Sequence, residues 1–487
     1  MSIPGPFADR YRAALDNETL SQNLLEFQRS WRETRDKQIT DLEEIVQTDA
    51  DQLRHELAVM KDHVIEELPE HVKQFRVAAE ATGAIVFEAG TAAEANDYIA
   101  RLCTERGAET VVKGKSMVTE ELFLNEYLES FDIKVLETDL GEWLLQLDND
   151  RPSHVVMPAI HRRRQEVARI LEHELGVPFD DDDIPAMVKS ARTALREDFL
   201  SAGVGITGAN ALIASTGTTL LVTNEGNGEL SASLPEIHVV VAGIEKIVPT
   251  TADAMKQVRL LARSATGQPI STYTSFFTGP VPGHEMHIVL VDNGRLAMAE
   301  QDWSSSALRC VKCGACANVC PAYQVVGGHA FGHVYTGPIG LVNTAFHHEI
   351  EAAAGPQSLC LSCGACETVC PVEIPLPEQI LGVRRLVAQE VGIPRWRRLT
   401  MRLYTSRRLV ALGTRLAAVA TLPFRSKSFT KIPFISRRFA SWRSIPAFPL
   451  TPARSRSTLR SSGDAIAHTK ATGRRVTLFM QCVSDRL

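Results

Sequence analysis

Eight of the ten cysteines in this 487-residue chain fall into two runs of identical spacing. Cys310-x2-Cys313-x2-Cys316-x3-Cys320-Pro321 is followed by Cys360-x2-Cys363-x2-Cys366-x3-Cys370-Pro371. Three thiolates two residues apart can wrap one face of an iron–sulfur cubane, while the fourth points away and reaches a second cubane. The spacing therefore predicts two [4Fe-4S] clusters. Cys310, Cys313, Cys316 and Cys370 would hold one, and Cys360, Cys363, Cys366 and Cys320 the other. Gly314 and Gly364, inside the two CGAC sequences, relieve the backbone at a tight turn. Pro321 and Pro371 end each run without needing an amide donor. Two other sulfur chemistries compete. Structural zinc takes four ligands per ion, commonly as two CxxC pairs apart in sequence. Disulfides would need an oxidising compartment, which nothing else in the chain indicates.

The remaining residues must build elements that position these sulfurs. Hydrophobic residues make up 44% and charged residues 23%, the balance of a soluble globular protein with two or three domains. The N-terminus, MSIPGPFADRYRAALDNETL, lacks the basic and apolar regions of a secretory signal, and no apolar run is long enough for a membrane span. A cytoplasmic location is expected. The net charge of −6 hides an asymmetry: Val391 to Arg475 holds 19 Lys/Arg and one acid, leaving residues 1–390 at −24. A basic tail on an acidic body predicts docking or membrane-surface contact rather than nucleic-acid binding. Arg395 to Leu422 interleaves Trp396, Leu399, Leu403, Leu409, Val410, Leu412 and Leu416 with seven arginines. That suits a basic amphipathic helix on a membrane surface, and equally a helix docked on an acidic partner or on the chain's own body.

Residues 1–79 read as helical, with Leu24, Leu25, Phe27, Trp31 and later Leu53, Leu57, Met60, Val64 and Leu68 near a 3.6 period. A layer packed on the next domain explains them better than a partner-binding arm. From about Glu80 to Ala299 strands and helices alternate. GAIVFEA, ETVVKGK, FDIKVLET, SHVVMPAI, TTLLVTNE, EIHVVVAG and MHIVLVDNG read as strands, and TAAEANDYIARLCTERG as a helix. The alternation predicts a largely parallel sheet with ligands at the carboxyl ends of its strands. Lys113, Lys115, Ser116, Glu137, Thr138, Asp139, Asn224 and Glu225 fall on such loops. Lys113, Lys115, Ser116, Asn224 and Glu225 are the candidate anion or substrate residues, with Ser116 or Thr119 as a helix N-cap. Turn geometry and solvation account for the same residues, and no nucleophile–base set is visible, so no catalytic residue is assigned. GITGANALIASTG lacks the spacing of a dinucleotide site. Cys103 reads as a small buried residue and His154, His161 and His238 as structural rather than ligands. His329, His333, His347 and His348 could tune the clusters or transfer protons, but packing and solvent exposure explain them better. Between the cysteine runs, VVGGHAFGHVYTGPIG would cover the clusters closely and LVNTAFHHEIEAAAG looks helical. QILGVRRLVAQEV continues as a helix, and Phe424 to Ser462 reads as an irregular linker.

Long, ungeneric stretches now point to a family. VKGKSMVTEE, VLETDLGEW, GITGANALIASTGTTLLVTNEGNGE, YTSFFTGP, MHIVLVDNGR and both CGAC motifs make residues 75–390 resemble the lactate utilization protein B family. The resemblance implies an α/β LUD domain of CoA-transferase/isomerase-like type, preceded by helices and followed by an α-helical ferredoxin-like domain with two [4Fe-4S] clusters. The expected domains are a helical segment at 1–79, the LUD domain at 80–300, the ferredoxin-type domain at 301–390 and a basic linker at 391–475. Residues 476–487, RRVTLFMQCVSDRL without its first two arginines, look like the opening strand of a fused partner subunit. The resemblance also implies two companion subunits, a cysteine-rich A-type and a LUD C-type chain, that oxidise L-lactate to pyruvate together with this one. The expected role is thus an iron–sulfur electron-transfer subunit, a component of an L-lactate dehydrogenase or oxidase rather than a complete enzyme. The alternatives are a stand-alone enzyme oxidising a 2-hydroxy acid such as glycolate, and a scaffold held together by its clusters.

Overall fold

The β-branched runs between Ile85 and Val291 pair into two sheets in the computed structural model. It describes residues 5–332, 334–393 and 395–421, and three two-residue strands beyond them. In chain order the strands are β1 (Ile85–Ala89), β2 (Thr110–Lys113), β3 (Lys134–Glu137), β4 (Val204–Thr207), β5 (Ala211–Ile213) and β6 (Thr218–Thr223). β7 (Ile237–Gly243), β8 (Ile247–Val248), β9 (Tyr273–Phe277) and β10 (Glu285–Val291) follow. Six form one sheet in the order β1-β10-β7-β4-β2-β3, with every neighbouring pair parallel. Its central strands are apolar on both faces: Val239 and Val241 of β7 enter one core, Val240 and Ala242 the other. Helices on both faces require that pattern. The second sheet runs β8-β5-β6-β9, with β5–β8 parallel and the other two pairs antiparallel.

SHVVMPAI is not a strand, contrary to its β-rich composition. The His154 Nδ1 accepts the amides of Val156 and Met157, each at 3.1 Å, and the Pro158 carbonyl accepts the Ser153 amide at 3.0 Å. Local bonds therefore satisfy the backbone donors that a ladder would have used. Conversely, β4, β5, β8 and β9 arise from stretches not read as strands, β5 and all of β4 but Val204 lying in GITGANALIASTG, weighed only as a nucleotide loop.

The N-terminal helices are capped by side chains, Asn17 before Glu18–Glu44 and Asp49 before Ala50–Glu66. Leu24, Trp31, Leu53 and Leu57 bury in the same core as Cys313, Cys316, Cys320, Cys366 and Cys370. The Trp31 indole also donates to the Ala265 carbonyl at 3.1 Å, so this layer bridges the sheet region and the cysteine region. The Gly-rich insertion between the cysteine runs is mostly helical, as Pro321–Phe331 and Gly337–His347, with the first broken at Gly327. Leu376–Glu390 is the expected helix after the second run.

The chain divides into two units, Met1–Gly392 and Ile393–Leu487. In the second, the basic stretch forms two helices, Arg395–Thr405 and Arg407–Thr421, rather than one. Trp396, Leu399, Leu409, Leu412 and Leu416 are exposed on them. Among the described residues no helix is long and apolar enough to cross a membrane. His333, Cys482, the 476–487 strand and most of the linker lie outside the described residues.

Candidate metal centre and the adjoining cavity

The two cysteine runs share one backbone path. Each follows a short 3-10 turn (Ser305–Arg309, Pro356–Leu359) and enters one helical turn (Ala315–Asn318, Ala365–Thr368). Between these lie a left-handed side-chain residue (Lys312, φ 58°; Ser362, φ 52°) and a left-handed glycine (Gly314, φ 74°; Gly364, φ 80°). This winding turns backbone amides toward sulfur. The amides of Lys312, Ser362 and Ile374 donate to the Sγ of Cys310, Cys360 and Cys370, each at 3.4 Å. Ala322 and Tyr323 donate to Cys320, and Ile339 to Cys316.

The fourth cysteine of each run lies with the other run. Cys370 is in the electrostatic field of Cys310 and Cys313, whereas Cys320 is in that of Cys360 and Cys363. Cys366 feels Cys320, Cys360 and Cys363. Burial pushes the free thiols up, Cys313 and Cys366 to about 12, Cys320 and Cys370 to about 11. Such thiols become thiolates only with a metal to take the proton's place. Among the described residues no three cysteine sulfurs come within 4.8 Å of one another. Thiolates about 2.3 Å from one tetrahedral zinc ion would stand about 3.8 Å apart. Eight cysteines in two interleaved runs, with amides aimed at five of the sulfurs, fit two polynuclear clusters better than single ions.

Side chains from distant sequence hold this backbone in place. Gln28 donates from its Nε2 to the carbonyls of Ala317 and Cys320 at 3.1 and 3.2 Å. Arg54 reaches the Cys370 carbonyl at 2.9 Å and Arg384 the Cys360 carbonyl at 2.6 Å. His154, kept neutral with its pKa near 4 chiefly by burial, donates from Nε2 to Asn318 at 2.9 Å. Sequence reasoning read His154 as structural, which it is, and missed the other three. Only Gln28 carried a sign: a polar residue in the apolar row of Leu24 and Trp31, 1% exposed here.

The two runs differ in exposure. The first is buried except for partial access at Cys310 and Lys312, while in the second Leu361 is 68% exposed and Cys363 is also at the surface. Beside the first lies a cavity of about 320 Å³ at the carboxyl ends of β2, β3, β4 and β7. Lys115, Ser116, Asn224 and Glu225 line it, together with Val311 and Lys312 from the cysteine run itself. Ser116 caps the Met117–Glu121 turn, and Lys115 donates to the Val156 carbonyl at 2.5 Å. Burial and the neighbouring Asp139 raise the Glu225 carboxyl.

Lys113 is not brought to this cavity. It is wholly buried, 2.7 Å from Glu137 and 3.0 Å from Glu120. Burial would pull its ammonium down, but those carboxylates hold it above its ordinary value. Thr138 bonds the Lys113 carbonyl, and Asp139, which does line the cavity, caps the next helix. Among the histidines, His161 bridges Ser153 and Asp150, His238 bonds Thr207, and His329 and His347 donate to backbone carbonyls. Cys103 is fully buried, its thiol raised to about 12 by burial.

Residues 72–293 match the LUD domain family and residues 306–374 the 4Fe-4S dicluster domain. Fold and cysteines together thus define an iron–sulfur protein that joins a LUD α/β domain to a domain carrying two [4Fe-4S] clusters. The chain is 39% identical to lactate utilization protein B of Oceanobacillus iheyensis, over 79% of this chain and 80% of that one. It is 38% identical to the Geobacillus kaustophilus protein of the same name, over 80% of this chain and 84% of that one. It is 41% identical to the Escherichia coli protein named uncharacterized electron transport protein YkgF, over 69% of this chain and 72% of that one. The chain belongs to the lactate utilization protein B family.

Proposed function

We propose that this chain is the electron-transfer subunit of a lactate-oxidising complex, relaying electrons through its two cluster sites to a partner. Cys310, Cys313, Cys316 and Cys370 hold one cluster in this reading, and Cys360, Cys363, Cys366 and Cys320 the other. When bound, each cluster supplies a site that stores and releases one electron. The carrying observation is the difference in exposure: the first run is enclosed beside a cavity, while the second presents Leu361 and Cys363 at the surface. Electrons would thus enter at the enclosed end and leave at the exposed one. The amides on Cys310, Cys316, Cys320, Cys360 and Cys370 stabilise negative charge on sulfur, and Arg54 and Arg384 add positive charge at the flanking carbonyls.

The companion subunits of this reading are a cysteine-rich A-type and a LUD C-type chain, assembled in the cytoplasm. Lys115, Ser116, Asn224 and Glu225 form the polar wall of a small-molecule site in the cavity. The basic helices Arg395–Thr405 and Arg407–Thr421, with their exposed apolar side chains, attach the chain to the anionic inner face of the membrane.

Anaerobic iron and sulfide quantitation, followed by EPR as L-lactate and then dithionite are added, tests the relay. About eight irons per chain, reduced by dithionite alone, is the expected result. Reduction by lactate alone would move catalysis into residues 80–300 and favour the stand-alone enzyme. Stoichiometric zinc without sulfide would overturn the cluster assignment.

A further inference from the structure

We propose that the inner end of the cavity is a subsite for a small carboxylate anion, clamped by Lys246 and Lys312. We further propose that its occupancy is coupled to the redox state of the cluster held by the first cysteine run. The carboxylate class rests on the lactate-utilization reading for its choice of probes; the subsite itself rests on the geometry.

Lys246 follows β7, the central strand, at the end of the 3-10 turn Ile244–Lys246. It lines the cavity, is only 6% exposed, and its ammonium enters no hydrogen bond or ion pair among the described residues. Its nearest carboxylate, Glu245, is shared with Arg295, only its Oε1 lacking a hydrogen bond. The Glu245 carboxylate is held by the Arg295 Nε at 2.5 Å, and Arg295 also grips Glu121 at 2.8 Å. The Lys61 ammonium donates to the Glu245 carbonyl at 2.9 Å.

Lys312 approaches from the cysteine run. Its left-handed backbone, φ 58°, sits between Cys310 and Cys313, and its Nζ lies 4.1 Å from the centroid of the Tyr335 ring. Tyr335 is itself fixed by donating to Glu121 at 2.6 Å. Two carboxylates, Glu121 and Glu245, thus face four cations, Arg295, Lys61, Lys246 and Lys312, and Lys246 and Lys312 oppose each other's charge. Asp139 and Glu225 also line the cavity, but they serve the amides of Gly141, Glu142 and Leu140. The Lys246 ammonium has only the shared Glu245 carboxylate to answer its charge, and an anion between the two lysines supplies a partner of its own. Leu261, Ala262 and Ala265 on the cavity wall suit a short alkyl chain beside that carboxylate.

Cys310 lies within the field of Lys246, so an anion on the lysines adds negative charge beside that sulfur. Added negative charge opposes electron entry. By linkage, reduction must then weaken anion binding by the same factor.

The test uses the full chain with clusters reconstituted anaerobically. Pyruvate binding to the oxidised protein is measured calorimetrically, and EPR redox titrations are run with and without pyruvate. The wild type binds pyruvate, and Lys246→Gln and Lys312→Gln each weaken binding at least about tenfold at unchanged iron content. Lys246→Arg restores binding, and Lys256→Gln, at a half-buried lysine outside the cavity paired with Glu56, leaves it unchanged. A tenfold preference for the oxidised state appears as a potential about 59 mV lower with pyruvate for this one-electron couple. If a glutamine variant loses iron, the wild-type potential shift and Lys246→Arg decide. Undiminished binding by both iron-replete glutamine variants, no pyruvate binding by the wild type, or a potential unmoved at saturating pyruvate overturns the proposal. Reducible clusters without pyruvate binding sink this subsite and leave the relay standing. Pyruvate binding without reducible clusters does the reverse.

Discussion

Gly314 and Gly364 occupy equivalent places in the two cysteine runs, yet they meet different surroundings. Both have positive φ, which costs an L-residue about 1–2 kcal/mol. A Cβ on Gly314 would come 2.7 Å from the His154 Cε1, whereas one on Gly364 meets nothing within 4 Å. His154 cannot give way, being bonded to Asn318 and to the amides of Val156 and Met157. Gly364→Ala should therefore keep its iron and lose only about 1–2 kcal/mol, a few degrees of thermal stability. Gly314→Ala should lose iron and sulfide as well. Parallel metal analysis and anaerobic melting of the two variants decide; equal iron in both would show that His154 does not constrain the first run. At the same scale, Lys113 illustrates what spacing cannot reveal. A lysine at a strand end beside Lys115 reads as anion-binding, but whether it points to the cavity or to Glu137 depends on which carboxylates the fold brings near.

At the scale of elements, the parallel sheet buries an ionisable side chain at its centre. His238 of β7 is 5% exposed, bonded to the Thr207 hydroxyl at 2.8 Å and set edge-on to Phe277. Burial lowers its pKa from 6.5 to about 4. Below pH 6.5 the unfolded imidazole takes up a proton that the folded one refuses. The stability contribution is therefore full above 6.5 and is lost as the pH falls toward 4. By pH 5 the loss should be about 2 kcal/mol. Melting of wild type and His238→Gln at pH 7 and pH 5 measures it. The wild type should drop further than the variant, and parallel drops would mean that the site admits the imidazolium. The other buried histidines act on both proteins alike and cancel in the comparison. SHVVMPAI shows the opposite outcome for a β-rich stretch, since His154 and Pro158 fold it into turns against the first cysteine run.

At the scale of the whole molecule, the boundary between the two units at Gly392 separates cluster binding from the proposed membrane contact. A chain ending at Gly392 should retain its full iron and sulfide, because Gln28, Arg54 and Arg384 all lie before that point. It should lose binding to phosphatidylglycerol vesicles that the full chain shows at low salt, measured by co-sedimentation. Equal sedimentation of both chains would remove the membrane role of the basic helices. The sequence by itself determined the metal chemistry, because cluster ligation depends on cysteine spacing within a few residues. It also determined the α/β class, since strand periodicity and helix alternation are local patterns. Only the tertiary structure decided that the N-terminal helices clamp the cysteine runs, that Lys113 is sealed away, and that Lys246 and Lys312 converge on one cavity. Most of those contacts join residues tens to hundreds of positions apart, and charge pairing and burial at that range are properties of the packed chain.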